Sequence, residues 1–359
     1  MDRSELERRF KRVLEETTIP DNASSTEKHL AWTKIYNLIE PNIPNRLFRF
    51  RSANLYSIMS FEHNTITLSN PDLFPDKFDS VVYINKEKIT KDILTGFTEE
   101  YQRNLISEIR QTGTIPAQFA SILGLQNNTF FTNTFTNAPN EVIETAMKNN
   151  KDNNLNDLLA SIPNIASKQI DFIRQNKQIK IACFTENVQS KYMWDMYTSG
   201  YKGFALEYDL SAPIGEKENN NPNEKINPIL FPVIYSNTMY DATVIATWYL
   251  VNSFFISNGL ATIPFPDLLY WYKAYLYKDI AYSIEKEWRF MCACPVKENE
   301  SFLEISCGER LKAIYYGPYM ESEIKTHLRN WAYSHKINEY DVSLNSESNQ
   351  FDLAIKQLN

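Results

Sequence analysis

Apolar residues recur every three to four positions at the start of the chain. This spacing predicts two amphipathic helices, over 3–17 and 25–39, with Ser24 or Ser25 near the N-cap of the second. The period then shortens to two. "RLFRF" predicts a strand, a short helix follows, and "NTITLS" predicts another strand. From about 86 to 175 the pattern is helical again, interrupted by Pro116, by "QNNTFFTNTFTNAPN" and by "KNNKDNNLND", and it reads as a helical insertion. Strands return at 179–184 and 202–208, and "GEKENNNPNEKINP" reads as a loop with the composition of a disordered segment. A strand at 229–235, helices over about 241–281, strands at 286–294 and 311–316, a helix at 320–334 and short terminal strands complete the chain. The order is mixed rather than a strict strand–helix alternation, so the expected fold class is α+β. The expected division is a helical extension over 1–45 and a single α+β domain over 46–359 that carries the insertion at about 86–175.

Three strand-like stretches carry polar groups on one face. In "LFRFRS", residues 47–52, Arg49 and Arg51 alternate with Phe48 and Phe50. Two guanidiniums side by side suit a phosphate clamp, and they equally suit a solvated strand face. In "TITLSNP", residues 65–71, Thr65, Thr67 and Ser69 share a face, able to hydrogen-bond a ligand or simply to favour a strand. In "EKEWR", residues 285–289, an extended chain would put Glu285, Glu287 and Arg289 on one side, opposite Trp288 and Phe290. Two carboxylates about 7 Å apart can stabilise a developing cation and orient an acceptor, or can form an ion-paired face.

Composition narrows the chemistry. The net charge of −7 and pI near 5.4 put tight electrostatic binding to nucleic acid low among the expectations, although a local basic groove is compatible with them. Only nine glycines occur, and neither GxGxxG nor GxxxxGK[ST] is present. Cys183, Cys292, Cys294 and Cys307 lack zinc spacing and read as buried reduced thiols of a cytoplasmic protein. "MDRSELERRFKRVLEE" is charged and helical, unlike a signal peptide. The uncharged run from Ala242 to Pro266 is long enough to span a bilayer, but its Asn, Ser, Gly and Pro content favours a buried helix followed by a loop. His29, His63, His327 and His335 form no ligand-spaced pair. Asp76, Asp79, Glu207 and Asp209 offer carboxylates for Mg²⁺ in a nucleic-acid-processing alternative, or plain solvation at loops and strand ends. The aromatic "KYMWDMY" reads as core packing rather than a base-stacking platform.

In order along the chain, "LFRFRS", "ITLSNPDLFPDKFD", "ACFTENVQSKYMWDMYTSGYKGFALEYD", "EKEWRF" and "IYYGPYM" resemble the bacterial and phage family catalogued as domain of unknown function 2971. The middle block is the most specific, through Cys183, Phe184, Met193, Trp194, Tyr197, Gly203, Phe204, Glu207, Tyr208 and Asp209. The chain departs from the family's "FNDPFD" block at 74–79, keeping Asp76 and Asp79, and has Tyr201 where the family has His. The family's layout is similar, more remotely, to ADP-ribosyltransferases. That similarity implies an ADP-ribosyltransferase-like mixed β core, NAD as substrate, and cleavage of the nicotinamide–ribose bond. It implies that Arg49 or Arg51 holds the pyrophosphate, that Thr67 and Ser69 occupy the cofactor-binding Ser/Thr strand with Ser69 supporting the nicotinamide ribose, that Glu287 hydrogen-bonds the ribose and stabilises the cation, and that Glu285 positions the acceptor. The acceptor would be protein, nucleic acid or water, and a toxin or anti-phage role would suit such a chain. A nucleotide-sensing module without catalysis would keep the arginines and dispense with Glu287.

Overall fold

The computed structural model describes residues 1–74, 76, 78–96, 98–116, 129–149, 153–175, 179–211, 229–257, 263–293, 301–345 and 349–358. The predicted 215–228 loop and Cys294 lie outside them. The first helix, Arg3–Glu16, starts where the Asp2 carboxylate accepts from the Glu5 amide. The second, Ser25–Ile39, starts at Ser24 in a reciprocal capping box with Glu27. Both helices turn apolar stripes inward, burying Leu6, Phe10 and Leu14 of one and Ile35 and Ile39 of the other in the main core.

Helix and sheet are mixed, in an α+β arrangement. The strands are β1 (Leu47–Arg51), β2 (Thr65–Ser69), β3 (Val82–Tyr83), β4 (Ile179–Thr185), β5 (Phe204–Tyr208), β6 (Ile229–Pro232), β7 (Ile234–Ser236), β8 (Tyr240–Asp241), β9 (Tyr277–Asp279), β10 (Glu287–Ala293), β11 (Phe302–Ser306), β12 (Leu311–Tyr316), β13 (Asn338–Leu344) and β14 (Leu353–Gln357). Ten of them form one sheet, running β11-β2-β4-β1-β5-β12-β13-β14, with β10 between β4 and β6. Of the predicted interruptions within 86–175, Thr129–Asn137 is itself helical, and the helix Asn153–Gln175 contains Pro163. The uncharged run after Ala242 supplies the helix Thr243–Ser257. No described helix is long and apolar enough to cross a membrane.

The sheet's register creates an opening. On one edge β4 pairs with β10 along its whole length, from Thr185↔Glu287 to Ile179↔Ala293. On its other edge it meets β1 only at Thr185↔Phe48 and β2 only at Ile181↔Ser69. Between those two contacts β1 and β2 part, and a cleft opens beside Cys183.

Two glycines allow close backbone approach on the far side of β1, one against β1 itself and one against the segment that leads into β5. An ideal Cβ on Gly203 would lie 2.0 Å from the Arg51 carbonyl oxygen, and one on Gly317 would lie 2.3 Å from the Tyr201 carbonyl oxygen. The Gly317 amide donates to the Gly203 carbonyl at 2.9 Å. The glycines of "YKGF" and "YYGPY" are therefore close-approach positions, Gly203 against β1 and Gly317 against the Tyr201–Gly203 backbone.

Candidate functional site

The cleft has a volume of about 170 Å³, and its walls include Arg49, Arg51, Ser69, Glu285, Glu287 and Cys183. Five of the six residues expected from the sequence to carry function are thus brought together. Thr67 is the exception, because it does not line the cleft. Its hydroxyl lies 3.1 Å from that of Ser60, and its carbonyl accepts from Arg49 Nη2 at 2.6 Å. This last bond has a structural origin. Where β1 and β2 part, the Arg49 guanidinium spans the gap and satisfies a carbonyl of β2.

Register places the arginines in an unexpected way. Residues directly opposite in an antiparallel pair share a face. Phe48, not Arg49, stands opposite Thr185, which itself stands opposite Glu287. Arg49 and Arg51 therefore belong to the reverse face and reach the cleft through the parting of the strands. Phe48 and Phe50 pack on the cleft's side, in a smaller core with Trp194 and Tyr315. Leu68 and Trp288 lie in the main core.

The expectation that "EKEWR" is one continuous strand face is corrected. Ile280–Glu285 is a 3₁₀ turn, Lys286 is left-handed at φ 46°, and the strand begins at Glu287. The positive φ breaks the alternation, so Glu285 approaches the cleft from a turn and Glu287 from a strand. The region expected to be helical through 281 also contains β9, which pairs with β7 in parallel from Ile234↔Tyr277 to Ser236↔Asp279. That strand delivers Lys278, which the sequence did not single out.

Lys278 is the hub of the acidic wall. Its ammonium bonds Glu285, donates to Glu287 Oε2 at 2.9 Å, and lies 3.8 Å from Asp79 Oδ2. Arg289, fully buried, donates from Nε to Glu287 Oε1 at 2.8 Å and from Nη2 to Asp79 Oδ2 at 2.6 Å. Its remaining donors face the Tyr275 carbonyl and, at 3.4 Å, the Ser80 hydroxyl. The Tyr197 hydroxyl donates to Glu285 Oε1 at 2.8 Å. The Glu287 amide donates to the Tyr235 hydroxyl at 2.8 Å.

The two glutamates titrate in opposite directions. Burial drives the Glu287 pKa upward, but Arg289 and Lys278 outweigh it and hold this carboxyl well below the usual range. Burial also raises Glu285, and there the opposing Lys278 does not cancel it, with Glu287 adding to the rise. Burial and the Glu285 charge push the Tyr197 phenol up, so it remains a donor. Burial first and then the Glu287 charge keep Cys183 a neutral thiol. On the opposite wall, the charge of Arg49 and then burial push Arg51 down to about 9, which still leaves a cation at neutral pH. No carboxylate is paired with Arg49 or Arg51 among the described residues.

The carboxylates proposed for Mg²⁺ do not gather. Asp76 and Asp79 line the cleft, but Glu207 accepts from Arg46 at 2.9 Å through each oxygen, and Asp209 holds Ser211. Among the described residues no three of His, Cys, Asp or Glu are grouped to hold a metal. The "KYMWDMY" segment is a helix, Lys191–Tyr197, that buries Met193 and Trp194 while Tyr197 reaches the cleft. Its core reading holds for Trp194, whose Nε1 donates to the Val188 carbonyl at 2.7 Å.

No curated protein and no solved structure matches the chain. The model of one family, described as protein of unknown function (DUF2971), matches residues 193–290. That stretch carries Tyr197, Lys278, Glu285, Glu287 and Arg289, while Arg49 and Ser69 lie outside it. Over residues 193–290, about a quarter of its length, the chain is similar to that family.

Proposed function

We propose that the cleft is an NAD site and that the protein is an ADP-ribosyltransferase-like enzyme. The observation that carries this reading is the composition of one cleft, with two arginines that have no carboxylate partner among the described residues and Ser69 on one side, and two glutamates of opposed pKa shift on the other. Arg49 and Arg51 would take the pyrophosphate by charge-assisted hydrogen bonds. Ser69 would hold the nicotinamide ribose. The enclosed volume of about 170 Å³ suits a ribose and one phosphate, and the adenosine end would lie along the open rim. The bond from ribose C1′ to nicotinamide breaks, its electron pair leaves with neutral nicotinamide, and an oxocarbenium-like centre forms. Glu287, fixed as a carboxylate, stabilises that centre. The acceptor, whether protein, nucleic acid or water, adds its nucleophilic atom to C1′ and releases a proton toward Glu285. Opposed shifts in neighbouring groups are how one site supplies both an ionised stabiliser and a proton carrier. A toxin or anti-phage role would follow from depleting NAD or modifying a host target.

A second reading has its own support. Both Glu287 oxygens are already held, one by Arg289 and one by Lys278. A cleft so braced would suit a nucleotide-sensing module that binds without turnover. Calorimetric NAD binding together with nicotinamide release separates the two. The transferase reading expects binding and release, with Glu285→Gln slowing transfer to an acceptor more than hydrolysis. Arg51→Ala should weaken binding by about tenfold or more. Binding without release, across candidate acceptors, establishes the sensor, and no binding at all ends both readings.

A further inference from the structure

A larger pocket lies elsewhere, between the end of the first helix and the chain after Thr238. Its volume is about 470 Å³, and nothing in the proposed chemistry uses it. Tyr240 and Tyr277 form a corner of its wall, with ring centroids 5.6 Å apart and planes inclined by 48°. Glu15 and Asp241 also line it. The lining includes one ammonium, Lys273, which is consumed internally. It donates to Asp267 Oδ2 at 2.6 Å and to the Thr17 carbonyl at 2.7 Å, and it is buried. Asp267 is consumed in turn, since its other oxygen accepts from the Ile19 and Leu269 amides at 3.0 Å each. The Asp267–Lys273 pair cancels, Glu15 meets Lys11 Nζ at 4.0 Å at the rim, and Asp241 has no cation partner among the described residues.

We propose that this pocket binds a small alkylammonium cation, with the charged head between the tyrosine faces and the two carboxylates. The fold already shows an ammonium using this chemistry at the rim. Lys11 Nζ sits 5.6 Å above the Tyr277 ring centroid and 4.0 Å from Glu15 Oε1. Aromatic faces and carboxylates together are the usual means of holding a desolvated ammonium. Met239, Val244 and Pro266 supply apolar walls for an alkyl chain. Burial and the nearby Asp267, Asp241 and Glu15 raise the Tyr240 phenol, so the wall stays neutral and aromatic.

Titration of the full chain with spermidine, followed by calorimetry, tests the proposal. Glu15→Gln with Asp241→Asn removes both charges. It keeps an acceptor for the Tyr277 hydroxyl and for the Thr243 amide, which these carboxylates now serve. That double variant should lose about tenfold or more in affinity. Tyr240→Phe should retain binding, and Tyr240→Leu should lose it. Thermal melts of each variant check that the fold persists, and Tyr240→Phe with the paired amides serves if Tyr240→Leu unfolds. No heat of binding at millimolar spermidine overturns the proposal. So does unchanged affinity in the charge-removed variant, which would mean a diffuse attraction to the acidic surface.

Discussion

Glu285 and Glu287 share one ammonium, yet their surroundings give them opposite effects on stability. Glu287 has a depressed folded pKa, so its contribution is fully present above the ordinary carboxylate value and is lost as pH falls below it. Glu285 has a raised folded pKa. Its ionised burial costs stability at neutral pH, and that cost disappears as pH falls through the raised value. Glu287→Gln should therefore lower unfolding free energy at pH 7 by about 3–5 kcal/mol, because it leaves Lys278 and the buried Arg289 under-compensated. Glu285→Gln should leave stability within about 1 kcal/mol of the parent, because the amide still accepts from Tyr197. Urea titrations across pH give the check. The deficit of the Glu287 variant should be full at pH 6 and shrink by about 1.4 kcal/mol per pH unit below about pH 4. Equal losses for the two variants would mean that both carboxylates are simply ion-pair partners.

The cleft exists because β1 leaves β4, and the glycine behind β1 sets where β1 lies. Gly203→Ala would put a methyl carbon 2.0 Å from the Arg51 carbonyl oxygen, a backbone atom that can yield only if the strand moves. The expected loss is about 1–3 kcal/mol, the scale of overpacking, together with weaker anion binding at Arg51. Gly96→Ala, where nothing lies within 4 Å, should be neutral or slightly stabilising. Melting temperatures of the two variants test whether the close approach is real. At this scale much was legible in the chain. β1 and β2 alternate with period two, and their buried residues Phe48, Phe50, Ile66 and Leu68 follow it. The capping box at Ser24 also announces its helix. What was not legible depends on local conformation or on distance in sequence. Nothing in the residue types marks Lys286 for a left-handed backbone, so "EKEWR" read as one strand. Lys278 lies in a run of aromatic residues with helical spacing, and only pairing with β7 makes that stretch extended. Asp79 meets Arg289 across 210 residues, a contact no periodicity encodes.

Across the whole molecule, the first helix is fastened to the strand that carries Glu287. Phe10 stacks on Phe231 of β6 with centroids 5.4 Å apart. Arg3 donates to the Glu287 carbonyl and to Glu186 Oε1, each at 2.8 Å, and its guanidinium lies 5.2 Å from the Trp288 ring centroid. Trp288 in turn donates to the same Glu186 oxygen at 2.7 Å. Arg3, Glu186 and Trp288 thus form a clamp behind the acidic wall, made by residues far apart in the sequence. Removing its cation while keeping the aliphatic stem separates the clamp from simple packing. Arg3→Met should cost about 1–3 kcal/mol, since Glu186 and the Glu287 carbonyl each lose a charged donor. Its diagnostic effect lies in β10, where amide hydrogen exchange over Glu287–Phe290 should speed up more than exchange in β12 or β13. Ligand affinity in the cleft should fall with it, because Glu287 is positioned through the strand that Arg3 holds. If exchange in β10 is unchanged while global stability drops, the helix contributes burial alone, and the geometry of the acidic wall is set by Lys278 and Arg289 without it.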